Sequence, residues 1–491
     1  MPFLRPVVLA VVQLAAILAV SAVPTAAAAA QSTYAVKAPP PPGLDRAEAQ
    51  RATKTHLINL IRLDTQNPPG NETLVAAYLD SVLKQLPGIE TRILNNAALG
   101  RANFAARLRA ARPTRRAVLV LGHMDVVGVD TTKWTVPPFE ATVHEGYLYG
   151  RGAIDDKGMI AATVAALEQL APRRSQLARD IIFLATAGEE GGPAVGMPWI
   201  ADSAFDMIAD AEFALNEGGR IRVRDGAVHT VNIQTTEKLS YRVVATATGP
   251  SGHGSVPLPN NALAALARAV ARVHAWRAPA RLTATTRLYF ARLARAESDT
   301  AVRRAMERLS AAGADSAAVA GAAEVLSRNP LHSAVLRTGH SLTLLDGGIR
   351  SNVIPSEGNA TFNVRTIPGD DVLEVVSEMN RVGAEPTVTF SLDGEPRTPP
   401  PASPVTTPLF LAMEEAASAM VPGAVVIPFM STGATDGAVL RAKGIPTYGI
   451  LPMPLPMEDE LRMHGDDERV PIPALGWAAE YLYRVLWGVT R

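Results

Sequence analysis

From Asp45 onward the apolar positions follow two spacings in turn. Ala47 to Leu63 and Thr73 to Leu86 repeat apolar residues at helical intervals, and Asn103 to Leu108 reads as a strand. Val118 to Gly122 is a short unbroken apolar run of the kind a buried strand carries. Met159 to Leu170 is helical again, and Ile181 to Thr186 and Phe213 to Leu215 are further buried strands. This alternation predicts an α/β fold, with a sheet layered between helices. Near Thr236 the pattern changes. Leu239 to Ala247 alternates like a half-buried strand, Asn260 to Trp276 is a helix, and Ser341 to Leu345 and Ala360 to Arg365 are strands. Asp371 to Val382 is helical and Thr387 to Leu392 is a strand, so the order β-α-β-β-α-β describes a small sheet with helices on one face.

These changes divide the chain into a larger unit, 44–236 with 399–491, and a smaller one, 237–398, inserted into it. An Ala- and Arg-rich stretch, about 281–335, interrupts the smaller unit as a helical insertion. Pro399 to Pro404 reads as the hinge back.

The N-terminus has a different character. Arg5 precedes an apolar run from Val7 to Val20, and Ala26 to Ala30 supplies small residues before Gln31. That layout predicts a cleavable signal over 1–30 and a secreted or periplasmic protein, with a stiff Pro-rich linker over 31–43. A retained anchor is the alternative, but Gln13 interrupts a run already short for a span. No later stretch is apolar enough to cross a membrane. With no Cys in 491 residues, disulfides are excluded and any metal site must use His and carboxylates. Lys+Arg and Asp+Glu both total 47, which leaves no electrostatic footprint for nucleic acid.

Five segments place His or carboxylate just after a strand or in a loop of the larger unit, the edge of an open α/β sheet where ligands bind. Leu121-Gly122-His123-Met124-Asp125 ends a buried strand, and residues two apart on an extended backbone share a face, so Asp125 can orient His123. Asp155-Asp156 precedes the Met159 helix, which either residue could simply cap. Glu189-Glu190 follows an apolar strand, where adjacent carboxylates are costly unless paired or bound to a cation. Asn216-Glu217-Gly218-Gly219 repeats the strand-then-carboxylate logic, and Arg462-Met463-His464-Gly465-Asp466 is an isolated loop signal. Each alone is weak.

Together, in this order, the five resemble the M20 family of metallopeptidases over nearly the whole mature chain. Trp134 with Pro137-Pro138-Phe139, and Asn216-Glu217-Gly218-Gly219, look closest to its carboxypeptidase-S and N-fatty-acyl-amino-acid hydrolase branch. The resemblance implies a zinc-exopeptidase-like catalytic domain around a mixed, mostly parallel sheet, with an inserted α+β lid or dimerisation domain. It implies His123 and Glu217 on one divalent ion, Glu190 and His464 on a second, and Asp155 bridging both, with Asp156 as the fallback. Asp125 matches the residue behind the first His, and Glu189 the general base. Zinc fits imidazole and carboxylate donors, and Co2+ or Mn2+ are alternatives. In Gly249-Pro250-Ser251-Gly252-His253-Gly254-Ser255, His253 matches a residue that reaches a neighbouring subunit's active site, so a homodimer is implied. Asn352 and Arg365 match residues that hold a substrate carboxylate, and Thr435 lies in a further substrate-binding turn.

The expected function is hydrolysis of an amide bond next to a free carboxylate, on a small peptide as a carboxypeptidase or on an N-acyl-amino acid. A non-catalytic binding protein on the same fold is the alternative of another class. No G-x-S-x-G elbow is present, and His144-Glu145 lacks the second His of a single-zinc protease helix.

Overall fold

The computed structural model describes residues 33–96, 101–191, 195–313 and 315–491. The expected signal, 1–30, lies outside the described residues. The stretch expected as a stiff Pro-rich linker, 31–43, lies against the body in its described part from Thr33. Tyr34 and Val36 pack on the main core. Proline carbonyls in this arm accept hydrogen bonds, from Arg484 to Pro39 O (2.6 Å) and from Tyr483 to Pro42 O (2.8 Å). A proline has a carbonyl and no N–H, so the Pro39–Pro42 stretch can only accept, and the surface beneath supplies donors. Its anchor is the buried Glu480, whose carboxylate accepts from Arg46 (2.6 and 2.8 Å) and Arg484 (2.7 and 2.9 Å).

Two helices come first, α1 (Arg46–Ile61) and α2 (Glu72–Leu83), then strands β1 (Ile89–Asn96), β2 (Arg101–Leu108) and β3 (Ala117–His123). Helix α3 (Lys157–Leu170) precedes β4 (Ile181–Thr186), and the short α4 (Met197–Ser203) precedes the hairpin β5 (Ala211–Arg224) and β6 (Ala227–Glu237). Every residue of β3 and β4 is buried, as their unbroken apolar runs require. The three-residue strand read at Phe213 in the sequence is thus fourteen residues long. Gly218-Gly219 and the charged alternation Arg220, Arg222, Arg224 hide its continuation and its partner β6.

The smaller sheet follows: β7 (Leu239–Thr248), α5 (Ala262–Ala275), four helices α6 (Ala284–Leu293), α7 (Thr300–Ser310), α8 (Ser316–Leu326) and α9 (Pro330–Leu336), then β8 (Gly339–Gly347), β9 (Glu357–Thr366), α10 (Val372–Gly383) and β10 (Val388–Asp393). Its strands run β8-β9-β7-β10, antiparallel throughout, and α5 and α10 bury their apolar stripes on one face. The helices of the insertion have a core of their own, built around Phe290, Met306 and Leu326. It also takes in Ile367 after β9 and Ile427 and Met430 of the next main-sheet strand, so the insertion bridges the two sheets.

The chain returns through α11 (Pro408–Met420), β11 (Val425–Ser431), α12 (Gly437–Ala442), β12 (Thr447–Pro456) and α13 (Ile472–Val489). The main sheet is mixed, in the order β11-β6-β12-β5-β3-β4-β2-β1, with β4, β3, β5 and β12 parallel neighbours. Helices α1, α3, α11 and α13 cover one face in the largest core, and α4 and α12 cover part of the other. Among the described residues, no helix is long and apolar enough to cross a membrane.

Candidate active site

The site forms where parallel strands separate. β5 pairs with β3 only as far as Leu215 opposite Val120, and then diverges toward β6 and β12. His123 at the end of β3, the turn after β4 and Glu217 just past the last β3–β5 pair therefore surround one gap at the C-terminal edge of the strands. Gly218 takes φ +128°, and a Cβ there would meet Gln234 Oε1 at 2.1 Å, so only glycine lets the chain turn away directly after Glu217. Gly122 makes room of another kind. A Cβ on it would lie 2.7 Å from Asp156 Oδ2, which is packed beneath β3.

The ligand atoms of His123, Asp155 and Glu190 all fall within 4.8 Å of one another. His123 Nε2 is 2.9 Å from Asp155 Oδ1, and His464 Nε2 is 3.1 Å from Asp155 Oδ2. Asp155 thus stands between the two imidazoles with one oxygen toward each. Glu190 Oε1 is 2.9 Å from His464 Nε2, yet it is buried without hydrogen-bond geometry to any partner. An imidazole nitrogen and a carboxylate oxygen brought this close, with Asp155 beside both, fit a shared cation. The donors so placed, two imidazoles and two carboxylates without sulfur, suit a divalent ion of the zinc, cobalt or manganese kind.

Asp156 takes no part in this group. It is fully buried, one oxygen accepts from the His123 N–H (3.3 Å) and the other has no partner. Asp125 meets His123 differently from the expectation. Nδ1 lies 3.0 Å from the Asp125 main-chain oxygen and 3.6 Å from its carboxylate. The carboxylate instead accepts the N–H groups of Glu189 and Glu190 (3.1 Å each) and the amide of Asn67 (2.8 Å). Asp125 therefore fixes the turn that carries the base and a ligand, while its backbone fixes the imidazole. Asn67 was invisible as a site residue in the sequence, where Asn67-Pro68-Pro69-Gly70 signals only a turn.

The electrostatics follow from crowding. Burial and the nearby Asp155 push Glu217 up to about 8. Burial, outweighing the attraction of His123, also holds Glu189 well above the carboxylate range. For Asp155, burial is opposed and overcome by His123 and His464, which keep it far below its ordinary value. Asp155 and Glu190 raise His464 to about 10. His123 is held well above its usual value by Asp125 and Asp155 despite its burial.

The remaining site residues fall into two groups. Thr435 and Arg365 gather at Glu237, the last residue of β6. Glu237 accepts from Thr435 N (3.1 Å), Thr435 Oγ1 (2.9 Å) and Gln234 (2.8 Å), and the Arg441 guanidinium is 2.8 Å away. Arg365, half-buried at the end of β9, donates from Nε to Asn363 Oδ1 (2.8 Å) and feels the charge of Glu237. His253 and Asn352 sit at the other end of the small sheet. Strand pairing of Gly252–His253 with Val353–Ile354 and the bond from Gly254 N to Asn352 O (2.8 Å) tie their loops together. Both residues are exposed. Roughly 25 Å of extended strand separates Glu357 from Arg365, at about 3.3 Å per residue. Asn352 and Arg365 thus stand at opposite ends of the small sheet within one chain, and a shared carboxylate requires the dimer that the resemblance implies.

A family model described as peptidase family M20/M25/M40 matches residues 119–488. The chain is 30% identical over 376 residues to a probable carboxypeptidase S-like 2 of Dictyostelium discoideum, covering 75% of this chain and 71% of that protein. It is 25% identical over 454 residues to the N-fatty-acyl-amino acid synthase/hydrolase PM20D1 of Homo sapiens, covering 89% and 88%. Among solved structures, the M20 family metallo-carboxypeptidase Sso-CP2 from Sulfolobus solfataricus superposes with a TM-score of 0.66. That match covers 89% of this chain and 99% of the other at 17% identity, a likeness of fold.

The protonation pattern has a measurable consequence. With Glu217 near 8 and His464 near 10, zinc added to metal-free protein at pH 7 should displace about two protons per molecule. Release should shrink as the pH rises through 8 and vanish above 10, because the groups are then already deprotonated. Calorimetric titration in buffers of different ionisation enthalpy reads this directly, and zinc binding without proton release at pH 7 would contradict the arrangement.

Proposed function

The chain belongs to peptidase family M20/M25/M40, whose members are dinuclear metal-dependent hydrolases, and from that premise we propose an exported two-zinc enzyme that cleaves an amide bond beside a free carboxylate. Membership decides against the non-catalytic binder. The first substrate in this reading is a small peptide that loses its C-terminal residue. The observation that carries it is the convergence of His123, Asp155, Glu190 and His464 at one point, with Glu217 and Glu189 beside them.

His123 and Glu217 would hold one ion and Glu190 and His464 the other, with Asp155 shared between them. Bound there, two divalent ions lower the pKa of a water and polarise the scissile carbonyl. The rest falls to the chain's own groups. Glu189 crowds the same gap but is not among the ligands, so its carboxylate is free to take a proton and return it to the leaving nitrogen. Its raised pKa reflects burial and negative neighbours, and cations in the site reverse the second influence and ionise it. Asp125 keeps Glu189 in place through the backbone.

We assign recognition of the substrate carboxylate to Arg365, whose planar guanidinium suits a bidentate grip. His253 and Asn352, exposed at the far end of the small sheet, act in this reading on the active site of a second subunit in a homodimer. Export rests on Arg5, the apolar run from Val7 to Val20 and the Ala26–Ala30 stretch.

Hydrolysis of N-acyl-amino acids is the second reading, favoured by the human N-fatty-acyl-amino acid synthase/hydrolase match. Met457 and Leu461 also support it. They are exposed by 41% and 74% on the helical turn leading into His464, an apolar surface beside a metal ligand.

A panel of C-terminally free peptides, N-acyl-amino acids and N-terminally free dipeptide amides, each with zinc and cobalt, separates these readings. Turnover confined to the amides would sink both. Glu189→Ala should keep both metals and lose turnover by about a thousandfold, within the usual range for a removed general base; normal rates would remove it from that role. His253→Ala and Asp155→Ala should each be inactive alone, whereas mixed dimers of the two should recover activity at one of their sites. An inactive mixture would argue against sharing between subunits.

A further inference from the structure

Two of the candidate ligands, Asp155 and His464, come from loops more than three hundred residues apart. Their loops are joined by a buried pair that the proposed chemistry does not use. Glu468 is 1% exposed and spends both carboxylate oxygens on the Asp155 loop. Oε2 accepts from Arg151 Nη1 (2.7 Å) and Gly152 N (3.0 Å), and Oε1 accepts from Ile154 N (2.7 Å) and Asp155 N (3.2 Å). Arg151 answers across the same seam. Its Nη2 donates to Gly465 O (2.8 Å), the carbonyl next to His464.

The seam is bounded on every side. Gly150 N donates to Glu468 O (2.9 Å), and Arg469–Pro471 pairs antiparallel with Tyr147–Tyr149. The Arg151 guanidinium lies 5.3 Å from the Trp134 ring, and Asp467 Oδ1 accepts from Thr135 N (2.8 Å). Meanwhile His464 has φ +62° and Asp467 φ +52°, left-handed conformations that a non-glycine residue adopts at a cost. The His464 side chain is nearly half exposed, and among the described residues its polar contacts are with Asp155 and Glu190. Within the loop, Gly465 N donates to Arg462 O (2.8 Å) and Arg462 Nη1 to Asp467 O (3.4 Å), which shape the turn. The hydrogen bonds of Arg151 and Glu468 tie that turn to the Asp155 loop.

We propose that Arg151 and Glu468 are positioning residues that hold the His464 loop and the Asp155 loop as one body, so that the ion bound by His464 and Glu190 meets a preassembled site. This rests on the two-ion reading above. The charge pair matters as well as the shape. A carboxylate can accept four hydrogen bonds at once, whereas a carboxamide must turn an NH2 group toward Arg151 or toward the backbone donors. A lysine in place of Arg151 keeps the charge but cannot fork to Glu468 and Gly465 together.

The test uses the full chain and Co2+ as the metal, titrated into metal-free protein and followed by its visible absorption and by competition with a chromophoric chelator. The variants are Glu468→Gln and Arg151→Lys, with Glu480→Gln as a buried-pair control far from the site. The wild type should take up two ions. In both site variants the weaker-bound ion should lose affinity by about tenfold to a hundredfold, with the other changed far less. Its absorption bands should shift, and Glu480→Gln should lower thermal stability without altering either affinity. Should Glu468→Gln fail to fold, Arg151→Lys alone decides. Two unchanged affinities, or equal weakening of both ions in a folded variant, would overturn the inference. A wild type that binds no Co2+ would instead sink the two-ion reading itself.

Discussion

Like charge packed into low dielectric governs this molecule. Asp155, Glu189, Glu190 and Glu217 crowd one gap at the strand ends, with the buried Asp156 behind them and Asp436, pushed up to about 6 by burial, beside them. Negative groups so close and so dry repel by several kcal/mol per pair at an effective dielectric of about 20. They persist only with compensating positive charge, from protons in the empty site or from divalent ions in the working one. The fold supplies the crowding: β5 leaves β3 at Leu215, Gly218 turns the chain away, and Gly122 opens space for Asp156.

Two acids hold this arrangement without belonging to the ligand set, and they use the same device. Asp125 accepts the N–H groups of Glu189 and Glu190, and Glu468 accepts those of Ile154 and Asp155. In each case a buried carboxylate gathers backbone donors of a turn and thereby aims that turn's side chains. Positions in the gap are fixed through main chain, which is stiffer than a contact between side-chain tips. The same economy appears at Glu237, which ties the Thr435 turn to the end of β6 close to Arg365.

How much of this was legible depends on whether a residue acts through its type or through its neighbours. The unbroken apolar runs of β3 and β4 and the helical spacing of α1, α3 and α5 announce themselves, and so do His123, Asp155, Glu190, Glu217 and His464 once they are taken in order. The hairpin of β5 and β6 does not, because its outer half carries Arg220 and Arg222, which pack on Glu460 and Met463 instead of facing water. Asn67 and the pairing of Arg151 with Glu468 are equally silent, since the partners are 58 and 317 positions apart and no local pattern records the contact. The separation of Asn352 from Arg365 also needs three dimensions. Both match substrate-holding residues, yet strand β9 keeps them apart within one chain.

The position of bound metal is the most direct test of the two-ion site. Diffraction data from zinc-loaded crystals, collected on either side of the zinc absorption edge, would place bound zinc without assuming a ligand set. Two anomalous peaks should appear, one against His123 and Glu217 and one against Glu190 and His464, with Asp155 between them. A single peak elsewhere, or none in fully loaded protein, would contradict the claim that this carboxylate cluster exists to hold a pair of cations.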